Sequence, residues 1–257
     1  MSAPYANPAK FPAAPSGGAK SNVVLIVLII LAVMLVMAVC VIGGLVMLLM
    51  PAISQARVAA QRAMVQNSAK QISMALLNYE MTNRELPAAQ STGAGSEPLL
   101  SWRVEILPFM EEARIYEGLQ RNKAWDDPAN VSLTNETVRA FTSPRCPDTE
   151  GTNRTAFVAV VDTDTVLRVE GPRKMRDIAD GASNTAMLLE LRESDIAWAE
   201  PRDVSVDEAV RLIQSCSDPG GLTVAMADGS VKNIVPSTSE DDIRKLFNCS
   251  DGAAISW

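Results

Sequence analysis

The run "VVLIVLIILAVMLVMAVCVIGGLVMLLM", Val23 to Met50, contains no charged residue. About 20 consecutive apolar residues cross a bilayer as a helix, so this segment reads as a transmembrane helix whose partner is lipid. A buried helix of a soluble protein seldom lacks a polar face over such a length. A cleavable signal peptide has a shorter apolar region, roughly 7–15 residues, ended by a small-residue cleavage site, and none follows Met50. Residues 1–22 are rich in Pro, Ala, Gly and Ser and read as a disordered leader. Lys10 and Lys20 before the span nearly balance Arg57, Arg62 and Lys70 after it. A short leader ahead of a long domain favours a signal anchor: residues 1–22 cytoplasmic, 23–50 a single pass through the cytoplasmic (inner) membrane, and 51–257 in the periplasm or outside.

Composition narrows the chemistry. The chain has no histidine, which removes the commonest general base, the commonest zinc ligand and every Ser-His or Cys-His nucleophile. All 30 acidic residues lie after residue 50, with all but two of the 23 basic ones. An acidic body of this kind repels phosphate backbones, and nucleic acid is not an expected partner.

Beyond Pro51 no further Pro or Gly occurs from Ala52 to Asn83, which favours one long helix leaving the bilayer, kinked if anywhere at Pro51. Ile72, Ala75, Leu76 and Tyr79 fall at i, i+3, i+4 and i+7 and form a face to be packed. Residues 84–98 read as a Gly/Pro/Ser loop, followed by short helical pieces split at Pro108. The runs "AFVAVV" (156–161), "TVLRV" (165–169), "AMLLEL" (186–191) and "LTVAMA" (222–227) then read as strands of an antiparallel sheet. "SVDEAVRLIQ" and "SEDDIRKLF" read as short helices opened by serine and acidic residues. The expected fold is α+β, a long N-terminal helix packed on an antiparallel β-sheet.

Within "DPGGLTVAMADGSVKNIV", Asp228-Gly229 suits a two-residue type I′ turn, pairing Ala227 with Ser230, Met226 with Val231 and Leu222 with Val235. Asp218 then heads a turn at the other end of the strand, roughly 20 Å away. Paired acid–base chemistry needs roughly 5 to 9.5 Å, so a hairpin with acidic punctuation is preferred to a catalytic pair.

Seven motifs in order, "LLMPAISQARVAAQRAMVQNSAKQISMALLNYE", "PLLSWRVEILPFMEEARIYEGL", "AWDDPAN", "RCPD", "DGASNTAMLLE", "PGGLTVAMADGSVKNI" and "DDIRKLFNCSDGAAI", resemble the planctomycete family of pilin-like proteins built on domain of unknown function 1559. The resemblance implies a membrane-spanning helix continuing into an extracytoplasmic domain similar to type II pseudopilins, with no established biochemical activity. Three departures stand out. Ser21 to Ile30 shows no prepilin cleavage sequence, which argues against prepilin-peptidase processing. Asp218 stands where members often have His. Val65 stands where they tend to have Cys; if that cysteine bridges to the one in "RCPD", Cys146 has no partner here.

Cys40 lies in the span as a small apolar residue. Of the other three, Cys216 and Cys249 are the expected disulfide pair. No Cys-x-x-Cys spacing supports zinc, and no metal or cofactor is expected. Asp180, Ser183, Asn184 and Thr185 in "DGASNT" are candidate ligand-binding residues, weighed against a turn capping the next strand. Asp162 and Asp164 read as a solvated strand edge. Glu190 either alternates out to solvent or is a buried acid paired with an arginine. Trp102, Trp125 and Trp198 are scattered among apolar residues and read as core.

These features point to a non-catalytic, membrane-anchored, pilin-like structural or interaction protein whose partners are pilin-like subunits or cell-envelope components. The alternative is a surface receptor binding a glycan or small ligand through its loops. A hydrolase using Asp148, Glu190 or Asp218 is the third class.

Overall fold

A computed structural model of the chain describes residues 19–252. The expected disordered leader falls mostly on residues 1–18, outside the described residues. Its last four positions, Ala19 to Asn22, are helical, because α1 runs unbroken from Ala19 to Asn83, through Pro51. The chain divides into two compact units after Arg57. In the first, Asn22–Leu45 is long and apolar enough to cross a membrane, with mean hydropathy 3.6 and none of its side chains buried.

The second unit is an α+β domain. Its sheet joins β3 (Phe157–Ala159), β4 (Ala186–Glu190), β5 (Leu222–Met226) and β6 (Val231–Ile234) in that order, all antiparallel. A two-stranded sheet, β1 (Gln90–Thr92) with β2 (Pro98–Ser101), precedes it. Between them lie the short helices α2 (Trp102–Glu105), α3 (Ala113–Gly118) and α4 (Val131–Thr134). Helices α5 (Val206–Gln214) and α6 (Glu240–Phe247) are each capped by a serine, Ser205 and Ser239, whose side chain accepts the amide three residues on. Each also carries acidic residues in its first turn, against the positive end of the helix dipole.

Both faces of the four-stranded sheet are covered. On one, Ala69, Ile72, Ala75 and Leu76 of α1 pack with Met187, Leu188, Ala225 and Ala227. On the other, Val210 and Ile213 of α5 and Ile243, Leu246 and Phe247 of α6 pack with Leu189, Val224 and Met226. This explains why the strands read as continuous apolar runs rather than alternating ones: every residue of β3, β4 and β5 is buried. Tyr79, the last residue of the predicted helix face, meets Phe109 edge to face at 6.2 Å.

Five further expectations are corrected. Residues 84–98 are not a bare loop, since Gln90–Thr92 pairs with β2. Residues 165–169 form no strand. Thr165 donates to the Asp162 carbonyl and accepts the Asp162 amide, closing a turn that leaves only a bridge between Leu167 and Val161. Asp162 opens this turn and Asp164 lies within it, not on a strand edge.

The β5–β6 register differs by one residue from the two-residue turn. Leu222 pairs with Ile234 and Ala225 with Val231, and the Met226 amide donates to Ser230 while the Gly229 amide donates to Met226. The loop thus has three residues, Ala227, Asp228 and Gly229, with only Gly229 left-handed (φ 83°). That is a type I turn closed by a glycine bulge, which asks for one positive φ where type I′ asks for two. All four cysteines are free, so the Cys216–Cys249 disulfide is not formed. Cys249 is buried with Cys146 and Val65 in the α1-side core, whereas Cys216 packs against the α5/α6-side core.

Candidate functional site

Helix α1 runs beside β5. Arg62 lies over Gly220 before the strand and Leu77 lies against Gly229 after it. The 15 residue steps from Arg62 to Leu77 make about 22 Å of helix, close to the reach of the strand and its flanking turns. Arg62 is thereby brought to the N-terminal end of β5, where the sequence places Asp218.

Asp218 is a hub of ion pairs. Its Oδ1 accepts from Arg62 Nη2 at 2.9 Å and from the Gly220 amide at 2.8 Å. Its Oδ2 accepts from Arg145 Nη2 at 2.9 Å and from Arg192 Nη2 at 2.5 Å. Arg145 continues inward, donating to the Gly221 carbonyl at 2.8 Å and to Glu190 Oε2 at 3.2 Å. Glu190 is buried on β4, where Oε2 also takes the Thr223 amide at 3.1 Å. Of the two readings of Glu190, the structure has the buried acid paired with an arginine. Burial favours a neutral Asp218, but the Gly220 amide and the three guanidiniums outweigh it and hold the carboxyl below its ordinary value. Burial likewise lowers Arg145; Glu190 and Asp218 oppose the shift, whereas Arg192 and Arg62 add to it.

The geometry bears directly on catalysis. Glu190 and Asp218 flank one guanidinium, with Arg145 3.2 Å from Glu190 Oε2 and 2.9 Å from Asp218 Oδ2, which brings the two acids within the upper limit for a working carboxylate pair, roughly 9.5 Å. The space between them is filled by Arg145 itself. Asp148, the third acid considered, is exposed and accepts the Ser194 amide at 3.3 Å. Asp218 and Asp228 lie at opposite ends of β5.

The "DGASNT" residues serve the local backbone. Asp180 accepts the amides of Asp251 at 3.0 Å and Gly252 at 2.7 Å. Asn184 Nδ2 donates to the Asp180 carbonyl and buried Thr185 to the Gly181 carbonyl. Ser183 is exposed. The Ala182 carbonyl takes the Asp228 amide, which docks this turn on the β5–β6 loop. Asp228 in turn caps the Ser230 amide. Among the described residues no group of three or more acidic or cysteine side chains could hold a metal ion.

A second buried pair is structural. Arg103, wholly buried, donates to Asp203, Ser101 and the Phe157 carbonyl, with its guanidinium 4.8 Å from the centre of the Trp102 ring. Asp203 also takes the Trp102 indole and the Ala159 amide. Burial pushes its carboxyl up, against the pull of Arg103 and these donors. Trp198 is buried and donates to the Glu136 carbonyl, whereas Trp125 is half-buried.

Sequence reasoning passed over Arg62, Arg145 and Arg192. They are 83 and 47 residues apart in sequence and share no periodicity, so only the fold assembles them. Beside Arg192 a cavity of about 450 Å³ opens among Glu190, Leu191, Glu193, Leu212, Cys216 and Leu222.

Residues 54–166 match the model of a family described as a protein of unknown function, DUF1559. No curated protein and no solved structure matches the chain.

Proposed function

We propose that this chain, whose residues 54–166 match the DUF1559 family model, is a membrane-anchored, pilin-like structural or interaction protein without catalytic activity. The reading rests on one observation. A single helix carries the exposed apolar stretch Asn22–Leu45 and then the face Val65, Ala69, Ile72 and Leu76 that packs into the domain core. An exposed stretch of that length and apolarity needs lipid around it. The domain beyond it lies outside the cytoplasmic membrane, as in pseudopilins and their planctomycete relatives, and works through association with like subunits or envelope components. The filled space between Glu190 and Asp218 supports a non-catalytic role, because an arginine already neutralises both acids where a substrate would sit.

Protease treatment of intact cells tests the topology. Digestion of the domain from outside, with the span left in the membrane fraction, is expected; protection until the inner membrane is breached overturns it. Crosslinking in native membranes through a cysteine at exposed Met64 or Met74 of α1 then reads association between copies.

A second reading, a receptor for a small ligand, is favoured by the cavity beside Arg192.

A further inference from the structure

A chain of ion pairs ends at the wall of that cavity. Arg145 and Arg62 fix Asp218 from within, and Asp218 fixes Arg192 through one nitrogen. Partly buried pairs of this sort add little net stability, because desolvation of the charges offsets their attraction. What the chain does supply is a guanidinium held in place, 29 % exposed, whose Nε and Nη1 have no protein acceptor among the described residues. An anchored guanidinium with unengaged N–H groups is a receptor for a carboxylate, to which Nε–H or Nη1–H donates a charge-assisted hydrogen bond.

The rest of the cavity has the opposite polarity. Glu193 is exposed at its rim. The C-terminal end of α5 borders it through Leu212, Ser215 and Cys216, and the last carbonyls of a helix favour a cation. Glu190, also in the wall, is neutralised by Arg145. Leu191, Leu212 and Leu222 make the apolar part, and the volume of about 450 Å³ falls within the range of small-molecule sites, roughly 300–1,000 Å³.

We infer that this cavity binds an aliphatic α-amino acid as its zwitterion. The carboxylate accepts from Arg192, the ammonium donates to Glu193 and the α5 end, and the side chain lies on Leu191, Leu212 and Leu222. A carboxylate without an ammonium leaves Glu193 unanswered, and an amine without a carboxylate meets Arg192. The site lies wholly within the residues after Arg57 and does not depend on association between copies.

The test uses the full chain in detergent micelles, titrated calorimetrically with L-leucine, 4-methylpentanoate and 3-methylbutylamine. Alkylation of Cys216, which lines the cavity and is half-buried, gives an independent readout of occupancy. L-leucine is expected to bind tightest of the three and to slow Cys216 alkylation. Arg192→Gln is expected to weaken L-leucine roughly tenfold or more, and Glu193→Gln to weaken L-leucine but not 4-methylpentanoate. Leu212→Trp, which fills a partly exposed wall, is expected to abolish binding in a chain that still melts cooperatively. Absence of both heat and protection with L-leucine overturns the inference, as does unchanged L-leucine affinity in Glu193→Gln or Leu212→Trp. Equal affinity for 4-methylpentanoate and L-leucine overturns the assignment of a zwitterion.

Discussion

Arg145 Nη1 lies 3.2 Å from Glu190 Oε2, an ion pair in which the arginine side chain is 4 % exposed and the glutamate not at all. The pair links the loop after Phe141 to the middle of the sheet. Removing Arg145 strands the Glu190 carboxylate away from water, at a cost of about 3–5 kcal/mol. Arg145→Met is expected to lose stability on that scale in urea melts of the full chain in detergent, and Glu190→Met less, because Arg145 keeps Asp218 and the Gly221 carbonyl. The double variant is expected to lose less than the sum of the two, because no charge is then left unpaired. Additive losses would show that the pair does not couple.

Asp218 gives the acid limb of stability a defined sign. Its folded carboxyl is held below the ordinary aspartate value of 3.8, so the unfolded chain takes up its proton first. The stabilisation is complete above that value and is lost as pH falls through the lower folded value. Between about pH 5 and pH 2, Asp218→Asn is expected to melt with a shallower pH dependence than the parent. An unchanged slope would show that the three arginines do not hold the carboxyl.

Two adjacent glycines are expected to respond differently. At Gly221 (φ 69°) an added Cβ would lie 1.8 Å from the Ile234 carbonyl oxygen. The clash is with backbone, so Gly221→Ala is expected to destabilise by at least about 2 kcal/mol. At Gly220 the added atom meets the guanidinium of Arg62, the mobile end of a long side chain. Gly220→Ala is expected to cost under about 1 kcal/mol while releasing Arg62 from Asp218. Thermal melts of both variants separate the cases.

Thiol chemistry distinguishes the cysteines. Burial pushes the Cys146 thiol up to about 11, with Asp148 and Glu190 adding to the shift, so almost no thiolate exists at pH 8. Burial raises Cys249 as well. Brief alkylation of the folded chain is expected to modify Cys216 and spare Cys146 and Cys249 until denaturant is added, as read by peptide mass. Oxidised and reduced samples are expected to migrate alike in gels, since all four cysteines are free.

Much of the fold can be read from local pattern. The 3.6-residue spacing of Ile72, Leu76 and Tyr79 marks the buried side of α1, the apolar runs mark β3, β4 and β5, and Ser205 and Ser239 mark the starts of α5 and α6. Features set by pairing are not legible in this way. The short β1 is polar, "QST", and is a strand only because β2 lies beside it. The one-residue offset in the hairpin depends on whether Asp228 or only Gly229 turns left-handed, and Asp-Gly permits either. The site is least legible of all. Asp218 looks like a turn residue because it does cap Gly220, and nothing in its neighbourhood announces three arginines arriving from α1, the segment after Phe141 and the end of β4.

With α1 on one side of the four strands and α5 and α6 on the other, the sheet has no broad surface to offer a partner. On the proposed interaction role, recognition falls to strand ends and helix exteriors, where residues can be exchanged without unmaking the interior. Diversity among related chains should therefore concentrate along that perimeter, with the layers between serving as a fixed chassis.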